Sequence, residues 1–219
     1  MVSQHRVIFR FDGRLAERGD LDGSDAEHFT SGARRLLAIQ AGFFTTGKAP
    51  TSAVARTERY HVIRSTRSRG SVIDPWTIAI VGGAAGSVFG HYSIKAKDYT
   101  FANFVKESLG SCLSGKCSVP PTLARIEPSL SRSDRGNAEI FEAEQIDPAQ
   151  IELLRLYTRR SLLDVMRPIG RSATTLEIFV DEIFIGHIDE VVMRRLANED
   201  AISDYVDDVR HRKKPPTLL

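Results

Sequence analysis

The sequence predicts an α+β fold made of an N-terminal strand–helix–hairpin unit, a Gly-rich central segment and a C-terminal helix–hairpin–helix unit. Three observations carry this. Residues His5–Phe11 alternate with the period of a strand, and two stretches, starting at Ser24 and at Asp147, repeat apolar side chains at three- and four-residue steps. Runs rich in β-branched and aromatic residues then arrive in pairs, Arg59–Arg67 with Val72–Val81 and Thr175–Val180 with Ile183–Ile188, which is the pattern of hairpins.

In the first strand Val7, Phe9 and Phe11 share one face and Arg6, Ile8 and Arg10 the other, and Asp12-Gly13 ends it. Ser24-Asp25-Ala26-Glu27 has capping-box spacing, in which the serine hydroxyl and the glutamate carboxylate satisfy N–H groups that a helix start leaves open. The helix predicted from there gathers Phe29, Ala33, Leu36, Leu37, Gln40, Phe43 and Phe44 on one stripe, turns Arg34 and Arg35 away, and ends near Gly47.

Ser68-Arg69-Gly70 supplies the bend between the two arms of the first hairpin. Pro75 donates no ladder hydrogen bond, so an edge, a bulge or a strand start is expected there, with Trp76 anchoring the core beside it. Gly82, Gly83, Gly86 and Gly90 interrupt a helical segment, and Asp98 is expected to restart a helix through Phe101, Phe104, Val105 and Leu109 as far as Gly110.

Ser111–Asn137 is rich in Ser, Pro and Arg and reads as a connector. Domain organisation follows as residues 1–110, an N-terminal α/β unit; 111–137, the connector; 138–210, a C-terminal α/β unit; and 211–219, a basic tail. In the C-terminal unit Asp147-Pro148-Ala149-Gln150 combines an N-cap acid, a first-turn proline and a glutamine at the third position, ahead of Ile151, Leu154, Tyr157, Leu162 and Val165. Pro168 and Gly170 stop that helix; Asp181-Glu182 joins the second hairpin, although it is a weaker tight-turn pair than Asp-Gly. Asp189–Ala197 and Ala201–Val209 read as short helices.

The net charge of +2 in 219 residues excludes a chain that acts as a polycation along its whole length, so any electrostatic partner needs a local patch. Its composition, 42% hydrophobic and 26% charged, is that of a globular protein with a packed core. The only two cysteines, Cys112 and Cys117, read as thiols of the structure or a loop: one close pair makes no secreted framework, and zinc needs two more ligands. With no secretory segment at its start, the chain is expected in the cytoplasm.

The densest basic stretch, Arg56–Arg69, places Arg59, Arg64, Arg67 and Arg69 around Tyr60 and His61, the composition of a phosphate-binding surface. Strand parity divides these arginines over two faces, and a solvated hairpin accounts for them better than a dedicated nucleic-acid groove. The run IAIVGGAAGSVFG lacks both GxGxxG order and a P-loop lysine, so close helix packing explains its glycines better than a phosphate. Trp76–Gly90 is free of charge but too short to span a bilayer, which needs roughly 20 apolar residues. A membrane role would require oligomeric insertion or a regulated change of state.

Neither an HExxH helix nor a GxSxG elbow is present, and Ser87, His91 and Asp98 form no triad from spacing alone. His187 has no second histidine nearby, and Glu139, Glu142 and Glu144, or Asp181 and Glu182, give no acid–base pair from spacing. No catalytic residue, cofactor site or metal site is therefore assigned.

The segments VIFRFDG, GARRLLAIQAGFF and HVIRSTRSRGSV together resemble the opening of a broad group of uncharacterised bacterial proteins, over about the first third of the chain. That resemblance implies a bacterial source and a strand–helix–hairpin start, with no activity to carry over. The leading expectation is a noncatalytic binding or assembly protein, either a homo-oligomer or a holder of a protein partner. The alternatives are a nucleic-acid or nucleotide-binding component of a bacterial defence system, using the arginine hairpin, and a membrane-acting effector using Trp76–Gly90.

Overall fold

The computed structural model describes residues 2–50, 57–65, 72–81, 100–113 and 147–198. The fold is α+β. Strand β1 (Val2–Asp12) leads through a short 3-10 helix, Arg14–Arg18, into α1 (Gly23–Thr46), then β2 (Tyr60–Arg64) and β3 (Val72–Val81). There follow α2 (Phe101–Leu113), α3 (Pro148–Val165), β4 (Thr175–Val180), β5 (Ile183–Ile188) and a helical segment at 190–198.

The five strands form one sheet in the order β2-β3-β1-β4-β5, antiparallel at every pairing. β1 sits at its centre, paired with β3 from Val2↔Val81 to Phe11↔Val72 and with β4 from Val7↔Val180 to Asp12↔Thr175. The strand predicted from Val7, Phe9 and Phe11 thus joins strands from both halves of the sequence, and all three side chains are buried.

That buried face receives α1. Phe29 meets the ring edges of Phe9 and Phe11 at 5.4 and 4.9 Å between centroids. Every residue of α1 from Leu36 to Thr45 is buried, more than an amphipathic stripe requires, because α3 covers the helix on its other side. Gly32 lets the two helices meet: a Cβ at that position would lie 2.6 Å from Asp164 Cβ and 2.8 Å from the Val165 nitrogen. Gln40, placed by periodicity on the apolar stripe, is buried there and donates to Thr158 Oγ1 at 2.7 Å. α2 closes the layer, Phe101 and Phe104 packing on Phe43 and Phe44.

Several expectations are corrected. The cap of α1 is Asp22, whose carboxylate accepts from the Ser24 N–H at 3.0 Å, so the helix begins ahead of the Ser24–Glu27 box. α2 runs past Gly110 to Leu113, because Cys112 and Leu113 still bury apolar surface and Leu113 fills the space left by Gly186. Its first turn is tied by Thr100, whose hydroxyl accepts from the Asn103 N–H at 3.3 Å; Asp98 lies outside the described residues. Pro75 stands in the middle of β3, the second strand of the sheet, not at an edge or a strand start. Its carbonyl accepts from Ser65 N–H at 2.9 Å just where β2 has ended, so the donor a proline lacks faces a position with no ladder to break.

α3 starts as predicted: Asp147 accepts from the Ala149 N–H at 2.9 Å, with Pro148 in the first turn. Gln150 reaches instead to the Ala49 N–H at 3.0 Å, tying α3 to the loop after α1. The Asp181-Glu182 hairpin forms with both residues at positive φ, 48° and 68°. Asp189 caps the segment 190–198 by accepting from the Val192 N–H at 2.9 Å.

The Gly-rich segment 82–97, most of the connector, the helix expected at 201–209 and the basic tail lie outside the described residues. So do Arg56, Arg67, Arg69, Ser87, His91, Cys117, Glu139, Glu142 and Glu144. Among the described residues no helix is long and apolar enough to cross a membrane.

Candidate functional site

Of the four arginines proposed for a phosphate surface, Arg59 and Arg64 are described, and both are engaged within the protein. Arg59 donates to the Thr45 carbonyl at 3.3 Å, serving one of the carbonyls that the end of α1 leaves open. Arg64 forms a two-pronged pair with Asp74, Nε to Oδ1 at 2.9 Å and Nη2 to Oδ2, and its guanidinium lies 5.8 Å from the Trp76 ring centre. Asp74 is wholly buried, opposite Phe9 in the β1–β3 register, on the face of the sheet that carries Trp76, Ile78 and Ile80.

The sequence reading passed over Asp74. Its signal was the parity of VIDPWTIAIV, which puts an acid on the same face as the largest apolar side chain of the run. A carboxylate there needs a cation, and Arg64 of the neighbouring strand is in register with Trp76 to supply it.

A second acid, Asp25, is also buried at the start of α1 and accepts from the Ser172 hydroxyl, with Arg171 Nη1 3.7 Å away. Ser172 Oγ in turn accepts from the Asp22 N–H at 3.1 Å. This cluster is fully engaged in joining the loop after α3 to the N-terminal half. Among the described residues no three His, Cys, Asp or Glu side chains gather where they would hold a metal ion.

The opposite face of the sheet has a different character. Of the six large hydrophobic side chains exposed among the described residues, four lie on it: Val2, Ile63, Val81 and Phe184. Parity puts them on one face, since Val7, Phe9 and Phe11 of β1, Ile78 and Ile80 of β3 and Val62 of β2 all turn the other way; Val2 and Val81 are paired at one end of β1 and β3, and Ile63 and Phe184 stand on the two edge strands. One row runs across the sheet through Pro75, Ile8, Phe179 and Phe184, with the last two rings 5.5 Å apart. Arg10 and Glu177, 3.7 Å apart, form a polar border to that row.

The sheet edges are less suited to pairing. β2 has only five residues, and β5 is displaced from β4 by a register shift at Ile178–Phe179. Short and bulged edges resist strand addition, so the face, not the edge, is the surface open to a partner.

Comparison with protein-family models, with curated proteins and with solved structures finds no match to this chain.

Proposed function

We propose that this chain is a noncatalytic binding and assembly protein of a bacterial complex, and that it associates through the outer face of its sheet. The observation that carries the reading is the exposure of Val2, Ile63, Val81 and Phe184 on that one face. Apolar side chains scattered over a surface need no explanation, whereas a group on one side of a sheet points to a partner that covers it. The partner that best fits is a second copy of the chain, because the row through Ile8, Phe179 and Phe184 is apolar and bordered by charges of both signs, Arg6 and Arg10 with Glu177, each able to meet its opposite across a two-fold axis. The same reading places the protein in a reducing cytoplasm.

The competing readings lose support from the same residues. A phosphate-rich groove along the hairpin would need several arginines turned outward together, whereas Arg59 is given to the Thr45 carbonyl and Arg64 gives Nε and Nη2 to Asp74, leaving only its Nη1 edge. A membrane-acting Trp76–Gly90 segment would need its first half free, whereas Trp76, Ile78 and Ile80 are core residues of an interior strand.

Size-exclusion chromatography with light scattering tests the proposal. The wild-type chain is expected at a mass above one protomer, and the double variant Ile63→Glu/Phe184→Glu at the mass of one, with an unchanged circular dichroism spectrum. A wild-type monomer that retains no protein partner overturns the reading.

A further inference from the structure

On the helix side of the sheet, between the flank of α1 and the end of β2, lies an open cleft of about 710 Å³ lined by Glu27, Thr30, Ser31, Arg34, Arg64 and Ser65. Its volume falls within the range of roughly 300–1,000 Å³ that small-ligand sites occupy. Its polar groups have little other employment. Arg34 makes no ion pair among the described residues, although its neighbour Arg35 is held by Asp164 at 3.1 Å. Glu27, Ser31 and Ser65 likewise make no side-chain hydrogen bond there. Thr30 donates its hydroxyl to the Ala26 carbonyl at 2.7 Å and keeps its oxygen as an acceptor.

Arg64 differs from these in being fixed. Asp74 takes its Nε and Nη2, Trp76 lies beside its plane, and the Nη1 edge keeps hydrogen-bonding capacity in a side chain that lines the cleft. A buried carboxylate paired with a partly exposed guanidinium contributes little net stability. What the pair does accomplish is to hold a planar donor in one orientation at the wall of the open cleft.

The charges are also ordered along the cleft. Glu27, Ser31 and Arg34 follow one another at helical i, i+4, i+7 spacing on α1, so the Cα atoms of Glu27 and Arg34 stand roughly 10 Å apart along the helix axis. The strand wall contributes the second guanidinium and another hydroxyl, those of Arg64 and Ser65. A long polyanion would run its charge against Glu27. A compact ligand with an anionic end and a hydroxylated end meets both.

We propose that this cleft binds the phosphate monoester of a small polyol. Arg34 and Arg64 hold the phosphate from the two walls, and Glu27, Ser31 and Ser65 accept from and donate to the polyol hydroxyls. This site is independent of the outer sheet face and of any association through it.

The test is isothermal titration calorimetry at low ionic strength with ribose 5-phosphate, ribose and inorganic phosphate as probes. Ribose 5-phosphate is expected to bind in the millimolar range or tighter, and more tightly than inorganic phosphate, while ribose gives no saturable heat. Arg34→Gln is expected to weaken ribose 5-phosphate by tenfold or more with an unchanged urea midpoint, since Arg34 is exposed and its removal leaves no buried group without a partner. Raising the salt concentration should weaken binding in step. Absence of saturable ribose 5-phosphate binding, equal affinity for inorganic phosphate, or binding that Arg34→Gln leaves unchanged overturns the proposal.

Discussion

His5 Nδ1 stands 2.6 Å from Asp181 Oδ2, joining the first strand of the sheet to the turn between its last two. The other oxygen of Asp181 accepts from the Arg6 N–H at 2.8 Å, and the Asp181 N–H donates to the Arg6 carbonyl at 2.8 Å. His5 is held from its other side by the Phe101 ring at 5.1 Å. A turn of unfavourable composition is thus secured by contacts outside its own hairpin. Asp181→Ala removes the side-chain half of these bonds and is expected to lower stability by about 1–2 kcal/mol, the group being partly exposed, as read from the urea midpoint.

Glu182 pays for that turn with a φ of 68°, which for a residue with a Cβ costs about 1 kcal/mol. Glu182→Gly should recover up to about 0.5 kcal/mol once the extra chain entropy of glycine is deducted. Thermal unfolding followed by circular dichroism checks it; a decrease in stability would mean that the Glu182 side chain contributes a contact outweighing its backbone strain.

The Arg64–Asp74 pair should respond unequally to removal of its two members. Asp74 has no access to water, whereas the side chain of Arg64 is 31% exposed and can turn outward. Arg64→Met withdraws two hydrogen bonds from a buried carboxylate and is expected to cost about 3 kcal/mol; Asp74→Asn, which keeps the shape and drops the charge, should cost less. Urea unfolding of the two variants side by side measures the difference.

Two helical glycines should change stability in opposite directions. Around Gly110 in α2 nothing lies within 4 Å of an added Cβ, so Gly110→Ala should gain about 0.5–1 kcal/mol from helix propensity. Gly32→Ala in α1 drives a methyl into Asp164 and Val165 and should lose about 1–3 kcal/mol by forcing α1 and α3 apart. Paired thermal melts decide both.

Burial raises the Tyr60 phenol above its ordinary pKa of 10.0. In the unfolded chain the phenol ionises first, so above that ordinary value the folded state binds more protons and stability falls as pH rises; below it the contribution is constant. Urea midpoints measured from pH 8 to 11 should fall less steeply for Tyr60→Phe than for wild type.

Much of this fold was legible because its elements announce themselves locally. The alternation around Val7, the stripe from Phe29 to Phe44 and the Asp147-Pro148 start each predict an element that is present, with ends displaced by a few residues. What stayed hidden depends on neighbours distant in sequence. Asp22 outcompetes Ser24 as the cap, and its own N–H is fixed by Ser172. Gln150 left the capping role for the Ala49 amide. Pro75 found a place inside the sheet because β2 stops where it does. For the site, the arginine-rich hairpin was visible but its occupation by Thr45 and Asp74 was not, and Arg34 read only as a side chain facing solvent.

The pairing of β1 with both β3 and β4 fixes the order in which the chain can be completed. Val7 waits for Val180, so during synthesis the first strand leaves the ribosome with one side bare until more than half the remaining chain has followed. Closure over such a span is entropically slow, and until it happens the central strand exposes an unpaired ladder beside Phe9 and Phe11. The step that makes the molecule whole is also the one during which it is most open to capture by another chain, so chaperone dependence should concentrate in that interval.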